Sequence, residues 1–543
     1  MKINITSLLN AEVYNHPVKK LELIETHISW VILTGDFAYK IKKPVNFGFL
    51  DFSTLEKRHQ YCQQEVLLNS RLADEIYLNV VAISGSPEEP SIAPETDKGA
   101  IEYAVKMTQF PQSAQLDNML EAGKLGTSHM EAIAHMVAHF HQSIPSTTDN
   151  QNAKTYGTKD EIQQAVLDNF TVSLDHLKNI KDGDKYREQL NKLMQWATSE
   201  YSLLSSKIEQ RRVNGFVREC HGDMHLRNMV WLNDKPMAFD CIEFNPQLSW
   251  TDVVTEIAFT VMDLQDRKEY LLANRFLNTY LEDTGDYDGL QLMPFYLCYR
   301  AMVRVKVSTL RLEQESEVDE NGDFDDSGNR KEVDLKSLEK EKQQTHTEFE
   351  SYLELASSYS HSKKPTLIIM RGMSASGKST VSQQILGQLG AIRIRSDVER
   401  KRMLGSQSSS SEIKQGIYSE ESSKQTYQKL SELAKSVIKA GYSVIIDAAF
   451  LKYEQREIFR KLADELEVNV IILDVTATHE ELKRRIVMRK NDVSDADLKV
   501  LEHQIANTKP MHSEELADVL TLDTEQALDS NKVVNEIQNR NKH

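Results

Sequence analysis

Residues 366–379 read TLIIMRGMSASGKS: an apolar, β-prone run passes directly into small residues and then into Lys378-Ser379, where a helical pattern begins. From Gly372 to Ser379 this is the GxxxxGK[ST] pattern, in the strand-to-helix context that it requires. Small side chains at Gly372, Ser374, Ala375, Ser376 and Gly377 let backbone N–H groups face phosphate oxygens. Lys378 is placed to reach the β and γ oxygens, and the Ser379 hydroxyl, with Thr380 beside it, stands at a helix N-terminus where it can ligate magnesium. The loop predicts a site for ATP, with GTP as the alternative, together with Mg2+.

Working outward, the stretches AIRIRSD (391–397), SVIIDAAF (443–450), NVIILDVTA (469–477) and ADVLTLD (517–523) alternate with helical patterns. With the loop strand they predict an α/β P-loop domain over 365–525 built on a five-stranded parallel sheet. Asp397 and Asp447 fall at the carboxyl ends of strands, where ligands bind in open α/β sheets. Asp397 can accept the proton of an acceptor hydroxyl, and Arg400, with Arg395, can hold the acceptor's anionic group. In ELKRRIVMRK, Arg485 and Arg489 lie four apart on one helical face, a spacing suited to clamping phosphates. The runs GMSASGKST, RIRSDVERKRMLG, VIIDAAF and RRIVMRKNDVSDADLKVLEHQ together resemble the small P-loop kinases related to zeta toxins and polynucleotide kinases. The resemblance implies Lys378 and Ser379 on nucleotide and metal, Asp397 as base and arginines from a lid. It does not choose the acceptor.

A second constellation lies in VRECHGDMHLRNMVWLNDKPMAFDCIEFNP (217–246). Asp223 stands five residues before Asn228 in a loop between two short strands, and Asp240 ends the next apolar stretch. Upstream, LELIETHISWVILTGDFAYKIKKPV (21–45) offers three β-prone runs, the last two reversing at Gly35-Asp36, and STLEKRHQYCQQEVLLNSRL (53–72) has helical spacing after Ser53 or Thr54. Sheet then helix is the order of a kinase N-lobe. The motif HGDxHxxN resembles that of the aminoglycoside phosphotransferase and choline kinase superfamily, over about residues 20 to 310. That resemblance implies Asp223 as base, Asn228 and Asp240 as metal ligands, and His221 as a support of the loop. His225, with no proton to carry, is left as an acceptor contact. Lys40 and Lys42 share a strand face and either can meet the nucleotide phosphates, with FAYK favouring Lys40; Glu65 is the expected helix partner and Glu56 the second option. No GxGxxG precedes the lysine strand, and Glu243 has no assigned role.

The expected domains are 1–357, kinase-like and bilobal, with an N-lobe of about 20–110, a C-lobe of about 111–357 and an acidic loop over 313–330; a linker, 358–364; the P-loop domain, 365–525; and a polar tail, 526–543. The whole arrangement resembles bacterial proteins known as bifunctional aminoglycoside phosphotransferase/ATP-binding proteins. Composition narrows the partners. The 543 residues carry 65 basic against 82 acidic side chains, a formal net charge of −17, which disfavours a general nucleic-acid binder. Four scattered cysteines with no CxxC spacing indicate neither a disulfide framework nor a zinc site. No run approaches the ~18 apolar residues of a membrane span, and the N-terminus lacks the core of a signal peptide, so a cytoplasmic protein is expected. The leading expectation is a kinase with two phosphotransfer sites acting on small-molecule hydroxyls. The rivals are a nucleotide-sensing or toxin-antitoxin-like regulator with one inactive site, and a polynucleotide 5′-hydroxyl kinase using Arg393, Arg395, Arg400, Lys401 and Arg402.

Overall fold

A computed structural model describes residues 3–48, 50–177, 183–321, 335–361, 364–404, 420–488 and 497–541. By contacts the chain divides into two compact units, residues 1–175 with 198–263, and residues 176–197 with 264–543.

The first unit opens on an antiparallel sheet of six strands. Their order across the sheet is Glu22–Glu25, Ser29–Leu33, Phe37–Lys42, Ala100–Thr108, Tyr77–Gly85 and Pro90–Pro94. The second and third strands reverse at Gly35, whose φ of +103° explains the glycine there. Helix Leu55–Ala73 follows, with the Thr54 hydroxyl accepting from the Lys57 N–H. Apolar residues of the sheet and of this helix bury Cys62, Val80 and Val105 in one core. Helix Thr127–Ser143 then precedes the short strands Val217–Glu219, Met229–Leu232 and Lys235–Ala238, of which the last two form a hairpin turning at Asn233-Asp234. Sheet, helix and looped hairpin follow one another in the order expected from the sequence.

The second unit is centred on five parallel strands in the order Ile392–Arg395, Val444–Asp447, Thr366–Arg371, Asn469–Thr476 and Val519–Asp523. All five expected strands are present. The loop strand lies in the middle, buried on both faces, as its unbroken apolar run requires. Helices Tyr270–Thr284, Met293–Asn321 and Leu335–Ser358 belong to the same unit. No described helix is long and apolar enough to cross a membrane.

Three expectations about boundaries change. Residues 313–321 of the acidic run continue helix Met293–Asn321, because Glu313 meets His176, and Glu315 accepts from Arg311 one turn earlier and from Thr345 of the neighbouring helix; the remainder of the run, 322–334, lies outside the described residues. The expected linker does not separate two bodies: Tyr359 donates to Gln265, and residues 264–357 cluster with the P-loop domain. The expected polar tail contains helix Ser530–Arg540, whose Val533, Val534 and Ile537 lie in the core beside Ile385 and Leu473.

Ile537 is 2% exposed in that core. Ile537→Ala is therefore expected to cost about 2–5 kcal/mol, read as a lower urea midpoint for the second unit, whereas a solvated tail would leave the midpoint unchanged.

Candidate functional sites

In the second unit the chain leaves the central strand at Gly372. A Cβ there would come within 2.5 Å of both the Val475 carbonyl and the Ser376 hydroxyl, so only glycine fits. The Gly372 N–H donates to the Ala449 carbonyl, which joins the loop to the end of strand Val444–Asp447. Ala375 and Gly377 take positive φ, and helix Lys378–Leu389 begins immediately afterwards. The ammonium of Lys378 lies over the loop, donating to the carbonyls of Gly372 (3.0 Å) and Met373 (2.8 Å). Ser374, Lys378, Ser379 and Thr380 line a cleft of about 820 Å3. Ser376 is fully buried beneath it.

Parallel register pairs Met370 and Arg395 with Asp447, and so brings Asp447 to the mouth of the loop. Asp447 is 5% exposed, and its Oδ2 has no hydrogen-bond partner. The nearest cation is Arg395, whose Nε lies 4.0 Å away. A buried carboxylate oxygen without a donor, beside the Ser379 hydroxyl on the same cleft, is a donor set that suits magnesium. Asp397 and Arg400, one helical turn apart, form an ion pair on the same cleft. Arg395 also lines it but donates to Glu282.

The structure describes one of the two arginines expected to clamp phosphates. Arg485 does not line the large cleft. It donates to Thr524 and to the Ala375 carbonyl, pairs with Glu481, and faces a second cavity of about 370 Å3 on the same loop, with Gln384, Gln526 and Leu528. Arg489 lies outside the described residues. Sequence reading missed Gln504, which accepts from the Ser374 N–H at 2.8 Å, and Tyr427, whose hydroxyl accepts from the Phe450 N–H at the cleft. It also missed the buried pair Arg456–Glu515, which holds the Phe450 carbonyl. Nothing local signals the contacts Gln504–Ser374, Tyr427–Phe450 and Arg456–Glu515, whose partners lie 23 to 130 residues apart.

In the first unit Lys40 meets both Glu65 (2.8 Å) and Asp240. Glu65 lies on the inner face of helix Leu55–Ala73, and Glu56 is exposed. Lys42 is not brought to Asp240: it is 1% exposed, and its ammonium is shared by Glu65 (2.6 Å) and Glu243. Glu243 thus acquires a role as the second counter-charge of Lys42. Burial alone would raise the Glu65 carboxyl, but the two ammonium groups hold it down at about 2. Burial of Glu243 outweighs Lys42 and raises its carboxyl above the usual range. Asp240 adopts φ +61°, an uncommon conformation for a non-glycine residue, fixed by its N–H donating to Tyr77 and by the next N–H donating to Asn69. Asn69 and Tyr77 were also missed, although Asn69 is one turn from Glu65 on the same helix face.

The Asp223 carboxylate accepts from the Asn228 side-chain amide at 2.9 Å, so the expected base and metal ligand are brought together. His221 is buried with Nε2 at 2.9 Å from the Phe239 carbonyl, and burial lowers its pKa, so the neutral ring donates there and takes the Asp223 N–H at Nδ1. His225, the expected acceptor contact, is buried. It is 8% exposed, packs its ring on Phe259 and lies 3.4 Å from Asp223. Helix Val253–Asp266 supports the loop: Glu256 accepts from the Gly222 N–H, Asp263 from the Leu226 N–H, and Thr260 donates to Met224. Among the described residues, His141, Cys220 and Glu256 lie close enough to hold a metal, but Glu256 is already engaged by His141 and Gly222, each at 2.7 Å.

Residues 367–511 match the family model described as an AAA domain, a span that contains the phosphate loop, Asp397, Asp447 and Arg485. Across 491 residues the chain is 27% identical to an uncharacterized protein of Mycobacterium tuberculosis and to one of Mycobacterium bovis, covering 89% of this chain and 90% of each relative. Among solved structures it is similar to an unliganded sugar kinase from Janibacter, with 21% identity and a TM-score of 0.26 over 32% of this chain and 93% of that one. It is also similar to a Plasmodium vivax ethanolamine kinase, with 10% identity and a TM-score of 0.34 over 62% of this chain and 82% of that one. The C-terminal part is a P-loop domain.

The ion cluster of the first unit gives a pH prediction. Glu65 falls from an ordinary 4.5 to about 2 on folding, so its stabilisation is present above pH 4.5 and is lost as pH drops through 2. The stability difference between the wild type and Glu65→Gln, on the order of 3 kcal/mol at neutral pH, is expected to shrink across pH 4.5 to 2 in denaturant titrations. A difference independent of pH in that window would contradict the assignment.

Proposed function

We propose that the chain is an ATP-dependent phosphotransferase with two kinase-type sites, each moving the γ-phosphate of Mg-ATP to a hydroxyl of a small molecule. The observation that carries the reading is the meeting of the Lys378 loop and Asp447, whose Oδ2 accepts no hydrogen bond, at one cleft that also contains Asp397. In this site the loop amides and Lys378 hold the phosphates, and Ser379 and Asp447 would hold magnesium, which when bound would neutralise charge on the phosphate oxygens. Asp397, oriented by Arg400, takes the proton of the acceptor hydroxyl as its oxygen bonds to the γ-phosphorus. The bond from that phosphorus to the bridging oxygen breaks, and its electron pair leaves with ADP. The smaller cavity beside Arg485 is suited to the nucleotide base, because it adjoins the same loop at Ala375, Gly377 and Thr380 and leaves the rest of the large cleft to the acceptor.

In the first unit, Lys40 and Glu65 position phosphates, Asn228 and Asp240 would hold magnesium, and Asp223 is the base. The architecture supported is an aminoglycoside phosphotransferase-like kinase joined to a zeta-toxin-like P-loop kinase, with no acceptor fixed by either half. An end kinase for nucleic acids is less well supported, because Arg393 and Arg395 meet Glu282, Arg400 meets Asp397 and Arg402 meets Glu399.

Calorimetric titration with a non-hydrolysable ATP analogue and Mg2+ is expected to give two nucleotides per chain, falling to one in Lys378→Ala. Asp223→Asn should keep both and lose about 100-fold or more of the turnover of its own site. The reading is abandoned if both variants consume ATP like the wild type across a metabolite screen.

A further inference from the structure

Helix Tyr270–Thr284 presents Asn274, Asn278 and Glu282 at intervals of four, a single stripe along one face. That stripe meets the outermost strand of the parallel sheet. The Asn278 side chain accepts from the Arg393 N–H at 2.8 Å and donates to the Ala391 carbonyl at 3.0 Å, and Asn274 donates to the same carbonyl at 2.9 Å. Both asparagines are buried, so the strand's free edge is satisfied by side-chain amides instead of a sixth strand. The approach is close because Gly387, on the helix that follows the phosphate loop, has no side chain; a Cβ there would lie 2.7 Å from Leu271. One turn beyond Asn278, Glu282 is held in a fixed place. Its two carboxylate oxygens accept from Arg393 (3.2 Å) and Arg395 (2.9 Å), which share a face of the strand because they are two residues apart.

We propose that Glu282 is a positioning residue of the P-loop site: by engaging Arg395, it keeps that guanidinium from closing on Asp447 and leaves the Asp447 carboxylate available to the metal of the bound nucleotide. The inference rests on the proposed reading of that site. Arg395 stands between the two carboxylates and is bonded to only one of them. Arg395 Nε stands 4.0 Å from Asp447 Oδ2, at the limit of an ion pair and beyond hydrogen-bond distance, while its Nη1 is committed to Glu282. Asp447 Oδ2 in turn is buried without a donor. With Glu282 neutralised, the nearest carboxylate for Arg395 is Asp447, and a guanidinium-carboxylate hydrogen bond in a buried site is strong enough to compete with a cation for the oxygen. A helix outside the P-loop strands thereby completes their metal site, and the P-loop domain is not self-sufficient.

The test uses the full-length chain, a fluorescent ATP analogue and Mg2+. The P-loop component of the signal is the part lost in Lys378→Ala; if nothing is lost there, the reading of the site fails, which is separate from the role of Glu282. Glu282→Gln is expected to raise the Mg2+ concentration for half-saturation of that component by about tenfold, with affinity in EDTA within about twofold of the wild type. Glu282→Gln/Arg395→Gln is expected to restore the wild-type Mg2+ dependence, which loss of packing would not do. An unchanged Mg2+ requirement in folded Glu282→Gln, or an equal rise in the double variant, overturns the proposal. Should Glu282→Gln fail to fold, Arg395→Gln carries the test: a Mg2+ requirement at or below the wild type supports the competition, and a higher one overturns it.

Discussion

A parallel sheet aligns the carboxyl ends of all its strands, and the C-terminal site depends on that constraint. Residues more than fifty positions apart arrive at one edge because the register Met370 to Asp447 and Arg395 to Asp447 leaves them no other place. The central strand contributes no charge of its own before Arg371. It contributes position, since a fully apolar strand must lie in the middle of the sheet, and whatever follows it then emerges between two neighbours. Gly372 converts that position into a phosphate-binding loop, because the backbone must pass within van der Waals range of Val475 at the point where it turns.

The first unit solves a different problem, that of burying charge. Glu65, Lys42 and Glu243 are almost wholly removed from water, and Lys40 is nearly so. Isolated, each would be costly; together they form an alternating chain running Glu243, Lys42, Glu65, Lys40, Asp240. Only the last member is substantially exposed. The chain therefore ends where a solvent-borne cation or phosphate can reach it, and Lys42, the better shielded lysine, fixes Glu65 so that Lys40 is held at the open end. Two lysines on one strand face have distinct tasks for that reason.

Much of this was legible in the sequence because the signals were local. The phosphate loop, the five apolar strands and HGDxHxxN each lie within one short stretch, and the spacing of Lys40 to Glu65 follows from a strand followed by a helix. What escaped was of two kinds. Amphipathic helices with few apolar residues, such as Ser530–Arg540 with Val533, Val534 and Ile537, resemble polar tails when only composition is weighed. An acidic run looks disordered unless its partners, here His176 and Thr345, are known to lie beside it. Arg485 was read from its spacing as a phosphate clamp, whereas the face it takes is set by Thr524, 39 residues further on.

The boundary near residue 360 shows why punctuation in a sequence differs from a boundary in space. SSYSHSKKP has the composition of a linker, yet the helices before it pack with the domain after it, because strand Ile392–Arg395 is an edge and an edge must be covered. In a free P-loop domain this edge would expose the backbone of Ala391 and Arg393 and two arginines that face the same way. Asn274, Asn278 and Glu282 answer each of these in turn, the amides for the backbone and the carboxylate for the arginines. The same stripe that hides the edge therefore sets the charge beside Asp447, so that protection of the sheet and tuning of the site are one interaction.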